Sequence, residues 1–133
     1  MDRARAEKVV DSWLRGWNAH DLDGVLDHFA DDVVFTSPLA ARLVVGSDGV
    51  IRGKQALRAY WSEGLRRIPD LRFEVVAVYL GVHTLVINYR DQGGRLVNEV
   101  LAFDGPLVVR GEATYAADAP LTAGADPADQ QGR

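Results

Sequence analysis

The amino-acid sequence predicts an α+β domain, with helices gathered on one face of an antiparallel sheet. Three observations carry this expectation. Apolar residues recur at helical spacing in the N-terminal part of the chain, and from Leu71 the period changes to two. The connections between the alternating runs are short and contain Gly81, Gly93-Gly94 and Asp104-Gly105-Pro106, too brief for parallel crossovers. Helices first and strands afterwards is the order of an α+β fold.

The first element spans residues 4–17. Val9, Val10, Trp13, Leu14 and Trp17 share one helical face, while Arg3, Arg5, Glu7, Lys8, Asp11 and Arg15 take the other. Asn18, Ala19 and His20 break it. Asp21 has the character of an N-cap for a second, shorter helix whose face is Leu22, Val25, Leu26 and Phe29. Asp31 and Asp32 close that helix, and Val33-Val34-Phe35-Thr36 reads as a short strand ended by Ser37-Pro38. Residues 39–53 hold two short apolar runs, 42–45 and 50–52, around Gly46-Ser47-Asp48-Gly49, which predicts a small hairpin or flap. Leu57, Tyr60, Trp61, Leu65 and Ile68 make a third helix over 54–68, stopped by Pro69. Four strands follow at 71–80, 83–91, 95–103 and 107–115. Beyond Tyr115 the composition turns to Ala, Asp, Pro, Gly and Gln. Residues 116–133 therefore read as a flexible tail outside a domain of residues 1–115.

Composition narrows the function. The chain has 133 residues, 47% hydrophobic and 26% charged, which suits one globular domain and excludes whole-chain disorder. Lys and Arg number 15 against 19 Asp and Glu, a formal charge of −4, whereas a phosphate-binding surface needs a basic excess. Nucleic acid is not an expected partner. Cysteine is absent, which removes disulfides, thiolate catalysis and Cys-ligated metal. The first eight residues lack the apolar run of a signal peptide, and no stretch of about 18 apolar residues occurs, so a cytoplasmic protein without membrane contact is expected. His20, His28 and His83 show no metal-ligand spacing, with His28 and His83 reading as surface. No G-x-G-x-x-G, Walker or G-x-S-x-G sequence is present. Neither a metal nor a cofactor is expected.

The strand faces say more. Val97, Glu99, Leu101 and Phe103 share one side of a strand, opposed to Leu96, Asn98, Val100 and Ala102. On the strand before it, Leu85, Ile87 and Tyr89 oppose Val86, Asn88 and Arg90. A sheet with one wet face alternates more cleanly. Helices cover one face, and a second copy of the chain is the economical cover for the other, the tail or flap being the alternative. Glu99 interrupts an apolar stripe. Enclosed there, its carboxyl would favour the neutral form and suit general acid/base work near neutrality; the competing reading pairs it with Arg90, Arg95 or Arg110. The aromatic set Trp13, Trp17, Phe35, Tyr60, Trp61, Phe73, Tyr89 and Phe103 would serve as core or as the lining of a pocket for a flat apolar ligand.

Several segments share the pattern of a known superfamily. They are Trp13 to Trp17, Asn18-Ala19-His20-Asp21-Leu22-Asp23-Gly24, Phe29-Ala30-Asp31-Asp32-Val33, Ser37-Pro38, Gly53-Lys54-Gln55-Ala56-Leu57, Pro69 and Phe103-Asp104-Gly105. Together they resemble the nuclear transport factor 2-like superfamily, closest to its SnoaL-like and ketosteroid-isomerase-like branches. The resemblance implies a cone in which a strongly curved antiparallel sheet, a cystatin-like roll, wraps around three helices. It also implies an apolar cavity and homodimerisation through the outer sheet face. In ketosteroid isomerases an Asp base removes a proton while a Tyr and a protonated Asp hold the oxyanion. Laid onto this sequence, the base position falls on Ser37, the tyrosine on Trp13 and the acid on Glu99. Serine without its own base abstracts no proton at neutral pH, so steroid isomerisation by that route is excluded.

The resemblance points Trp13, Tyr60, Leu85 and Glu99 into the cavity. The expected site is thus Glu99 as acid/base, with Trp13, Trp17, Ser37, Tyr60, Leu85, Ile87, Tyr89, Val97 and Leu101 lining the pocket and Trp13, Ser37 or Asn88 orienting substrate. The implied function is binding of a small hydrophobic carbonyl compound with proton-transfer chemistry of isomerase, dehydratase or cyclase type. The alternative is a non-catalytic ligand-binding or dimeric accessory domain.

Overall fold

The first helix, α1 (Arg3–Asn18), starts where the Asp2 carboxylate accepts the Arg5 amide, and it buries Ala6, Trp13 and Trp17. In the computed structural model, which describes residues 1–117, α1 is followed by α2 (Leu22–Leu26), β1 (Phe29–Thr36), α3 (Pro38–Leu43), β2 (Val50–Arg52) and α4 (Lys54–Arg67). Four strands complete the order: β3 (Glu74–Leu80), β4 (Thr84–Arg90), β5 (Leu96–Asp104) and β6 (Leu107–Tyr115). Of the expected tail, residues 118–133 lie outside the described residues.

The strands form one curled sheet in the order β2-β1-β6-β5-β4-β3, and the helices fill its concave side. The mixed α+β architecture is therefore present. Its sheet departs from the expected antiparallel pattern at one place, since β1 and β6 run parallel. On β4 and β5 burial alternates residue by residue, fully buried on the inner side and half-buried on the outer.

Three local expectations are corrected. The second helix ends at Leu26 rather than at Asp31-Asp32. Phe29 instead opens β1 opposite Val108, and the two aspartates are exposed within the register shift between Phe29 and Val34. Pairing with a distant strand outweighs the weak helical signal of one short segment. Secondly, the region 39–53 is not a hairpin of its own. Ser37 caps α3, its Oγ accepting the Leu39 amide at 3.2 Å, with Pro38 in the first turn, and β2 pairs with β1 instead. Thirdly, β3 begins at Glu74 rather than Leu71. Asn18 donates to the Phe73 carbonyl at 3.0 Å and accepts from the Phe73 amide at 2.7 Å, and the His20 ring lies 2.9 Å from the Leu71 carbonyl oxygen. The end of α1 thus holds the segment that would otherwise extend the strand.

His28 is half-buried rather than on the surface, its Nε2 2.9 Å from Ser12 Oγ, while His83 is exposed. Among the described residues, no helix is long and apolar enough to cross a membrane.

Gly111 permits the closest approach inside the sheet. A Cβ there would lie 2.6 Å from a Phe35 ring carbon. The Gly111→Ala variant is expected to lose about 1–3 kcal/mol, from overpacking against a buried ring, in a urea unfolding titration.

Candidate functional site

A hollow of about 60 Å³ lies between the concave sheet face, α1 and α4. Strand alternation aims Glu99 toward it. Glu99 stands opposite Ile87 on β4 and Ala113 on β6, with Tyr89 and Tyr115 at the diagonal positions. The side chain is 3% exposed and lines the hollow. Burial pushes its carboxyl up to about 8, and among the described residues no cation is paired with it. The alternative pairing with Arg90, Arg95 or Arg110 is therefore not the arrangement formed.

Tyr60, on α4, donates to Ser37 Oγ at 3.0 Å, which links the helix to the cap of α3. Burial pushes the Tyr60 and Tyr89 phenols upward, and the nearby Glu99 adds to both shifts. These phenols stay neutral through the physiological range. They provide polar tips on otherwise apolar walls.

Of the residues expected at the site, the hollow brings together Trp17, Ser37, Tyr60, Tyr89 and Glu99. Trp13, Leu85, Ile87, Val97 and Leu101 are buried but do not reach its wall. Trp13 is enclosed between Phe73, with ring centroids 5.7 Å apart, and Tyr89, at 5.2 Å. Phe35 lies over Gly111 and beside Leu101, so an aromatic ring occupies the space a deeper cavity would need. Asn88 is on the outer sheet face, donating to Asn98 Oδ1 at 2.8 Å, and cannot orient a molecule inside.

Sequence reading passed over other wall residues. Phe35 and Phe73 belonged to the aromatic set without being singled out, and Tyr115 follows from strand alternation. Gln92 sits in the β4–β5 turn and carried no signal. Asp91 shapes that turn, its Oδ1 accepting the amides of Gly93 at 2.9 Å and Arg95 at 3.0 Å.

The size of the hollow limits what enters. Drug-sized ligands occupy roughly 300 Å³ or more, so only a compact molecule fits these walls without rearrangement. No group of three or more His, Asp or Glu side chains is arranged to hold a metal among the described residues.

A family model described as the SnoaL-like domain matches residues 10–124. A SnoaL-like protein of unknown function from Burkholderia thailandensis is 42% identical, over 87% of this chain and 98% of that one, with a TM-score of 0.82. The chain belongs to the SnoaL-like family. More distant structures share the fold. A protein with a cystatin-like fold from Methylobium petroleophilum has a TM-score of 0.70 at 19% identity, over 94% of this chain and 83% of that one. TerC, co-crystallised with polyporic acid, has a TM-score of 0.70 at 12% identity, over 84% and 92% of the two chains. No curated protein matches the chain.

In this SnoaL-like domain the site has a thermodynamic signature. The Glu99 carboxyl moves from 4.5 to about 8 on burial, so between those values the folded state binds more protons than the unfolded state. Stability therefore falls as pH rises through that window, by up to about 1.4 kcal/mol per pH unit. His28, lowered from 6.5 chiefly by burial, acts in the opposite sense below that pH, which leaves 6.5 to 8 as the window where Glu99 dominates. Urea titrations across that window are expected to show the decline in the wild type and its absence in Glu99→Gln.

Proposed function

We propose that this SnoaL-like domain binds a compact, largely apolar carbonyl compound in the hollow, with Glu99 moving a proton. The observation that carries the reading is the carboxyl itself, buried on an aromatic wall with no cation among the described residues to neutralise it. Burial of an unpaired carboxyl is unfavourable, and its position in a hollow is the arrangement expected of a group retained for chemistry.

The protonation state follows from the environment. With its carboxyl at about 8, Glu99 is mostly neutral at pH 7 and can donate to a carbonyl oxygen. After that transfer the carboxylate can accept a proton from the carbon next to the carbonyl. One group thus serves both halves of an enolisation, the step common to isomerisation, dehydration and aldol-type cyclisation. Ser37 takes no part as a base, because its Oγ accepts from Tyr60 and, among the described residues, no carboxylate or imidazole is bonded to it. It is a polar contact for an oriented substrate. The fold's capacity for organic molecules is supported by TerC, which was co-crystallised with polyporic acid.

A thermal-shift screen of small cyclic and aromatic carbonyl compounds is the direct test, since a ligand that binds only the folded state raises the melting temperature. For a compound that binds and is turned over, Glu99→Gln is expected to keep the thermal shift and lose about 100-fold or more in rate. Undiminished turnover in that variant would remove Glu99 from the catalysis.

The outer sheet face extends the reading to assembly. Val86 and Val100 are cross-strand partners at its centre, next to Tyr79, which is 60% exposed, while Arg110 and Glu112 on β6 bring opposite charges to the same surface. A two-fold axis would bury the valines and set each Arg110 within reach of a partner's acidic group. Light scattering at micromolar concentration is expected to report twice the chain mass, and Val100→Lys to return the monomer.

A further inference from the structure

One face of α4 and its C-cap carries Tyr60, Trp61, Leu65 and Ile68, and all four line the hollow. Gly64 stands on the same face and lines it too, one turn after Tyr60 and one turn before Ile68. It alone on that face has no side chain. The backbone gives no reason for glycine there. The helix runs on through it, its carbonyl accepts the Ile68 amide at 2.9 Å, and its φ is not positive. Packing gives no reason either. Apart from its chain neighbours and the helix backbone, a Cβ at Gly64 would meet no atom within 4 Å. Glycine inside a helix is less favourable than alanine, so a glycine with room for a side chain points to a use for the open space.

The wall residues divide by depth. Trp17, Trp61 and Glu99 are buried, whereas Leu39, Gly64, Leu65, Ile68 and Gln92 are half-buried, as residues at a rim are. Among the described residues, none of the half-buried ones on this wall is charged. We propose that Gly64 is the doorway of the hollow. The absent side chain leaves the gap through which a compact, neutral molecule reaches Trp17 and Trp61, and the width of that gap sets the size of ligand admitted. An ion would lose its hydration at this rim with nothing to replace it. That the entering molecule is a ligand rests on the reading above, but the doorway needs no proton transfer by Glu99.

Acrylamide is the probe, a compact neutral carbonyl compound that quenches indole fluorescence on contact. Trp17 and Trp61 are the tryptophans on the wall, and Trp13, buried away from it, contributes a constant background. In the full chain, Gly64→Leu is expected to lower the Stern–Volmer constant by about half or more, the remaining quenching depending on local opening. Gly64→Ala adds a single methyl group. It should raise the melting temperature by about 2–5 °C and leave the quenching near the wild-type value. Ile68→Ala, which trims the rim, should increase quenching, and Ser62→Leu, at an exposed position of α4, should leave it unchanged. Undiminished quenching in Gly64→Leu would overturn the doorway. So would equal losses in Gly64→Ala and Gly64→Leu, which would mark a stiffer helix, or a matching loss in Ser62→Leu. Cyclopentanone separates this inference from the broader reading, through the rise in melting temperature it causes in the wild type. If that rise persists in Gly64→Leu along with full quenching, the hollow remains the ligand site and the doorway falls. If the quenching series is as expected and no carbonyl compound raises the melting temperature, the doorway stands and the ligand reading falls.

Discussion

Phe73 packs tilted against Tyr89 with ring centroids 4.4 Å apart, stacks on Trp13 at 5.7 Å and meets Trp17 at 5.6 Å. Through these contacts one side chain joins α1 to the inner face of β4. Its backbone is held from the other direction by both ends of the Asn18 amide. Trp17 continues the layer to Trp61 on α4, and Trp61 continues it to Phe29 and Phe35 on β1. The helices therefore meet the curled sheet through a connected sheet of rings. Large planar side chains give much buried area for little lost rotamer freedom, and their edge-to-face contacts fix angles as well as distances. That layer also supplies much of the wall of the hollow, through Trp17, Phe35, Trp61, Phe73 and Tyr89.

The same layer sets the chemistry. Glu99 is buried, with Tyr89 and Tyr115 at the diagonal positions of the neighbouring strands. The resulting rise of its carboxyl to about 8 is a property of the packing and not of any charged neighbour. A solvent-filled cone of identical topology would hold an ordinary carboxylate at that position. Stability and reactivity are opposed here, since the desolvation that makes Glu99 useful near neutrality is unfavourable whenever the group ionises.

Much of this was legible in the sequence. Alternation along β4 and β5 put Glu99 on the inward face with Leu101 and Val97, and helical spacing put Trp13 and Trp17 inside, because side-chain direction is a local consequence of backbone geometry. The superfamily resemblance rested on the order of loose motifs along the chain, and the family match over residues 10–124 agrees with it. Short elements were harder. Ser37-Pro38 is a helix-start signal, yet the helix it starts covers only Pro38–Leu43, and the apolar residues on either side imitate a hairpin.

What the chain determined by itself, then, was the class of each long element, the face on which each side chain lies and the presence of one acidic group among apolar ones. These depend on neighbours within a few residues. Only the tertiary structure decided that β1 runs parallel to β6, that Phe35 fills the space over Gly111, and that Gln92 reaches the wall on which Trp17 stands. Each of those facts joins residues far apart in sequence. Whether an inward face becomes core or cavity is a matter of how distant volumes add up, and no local pattern records that sum.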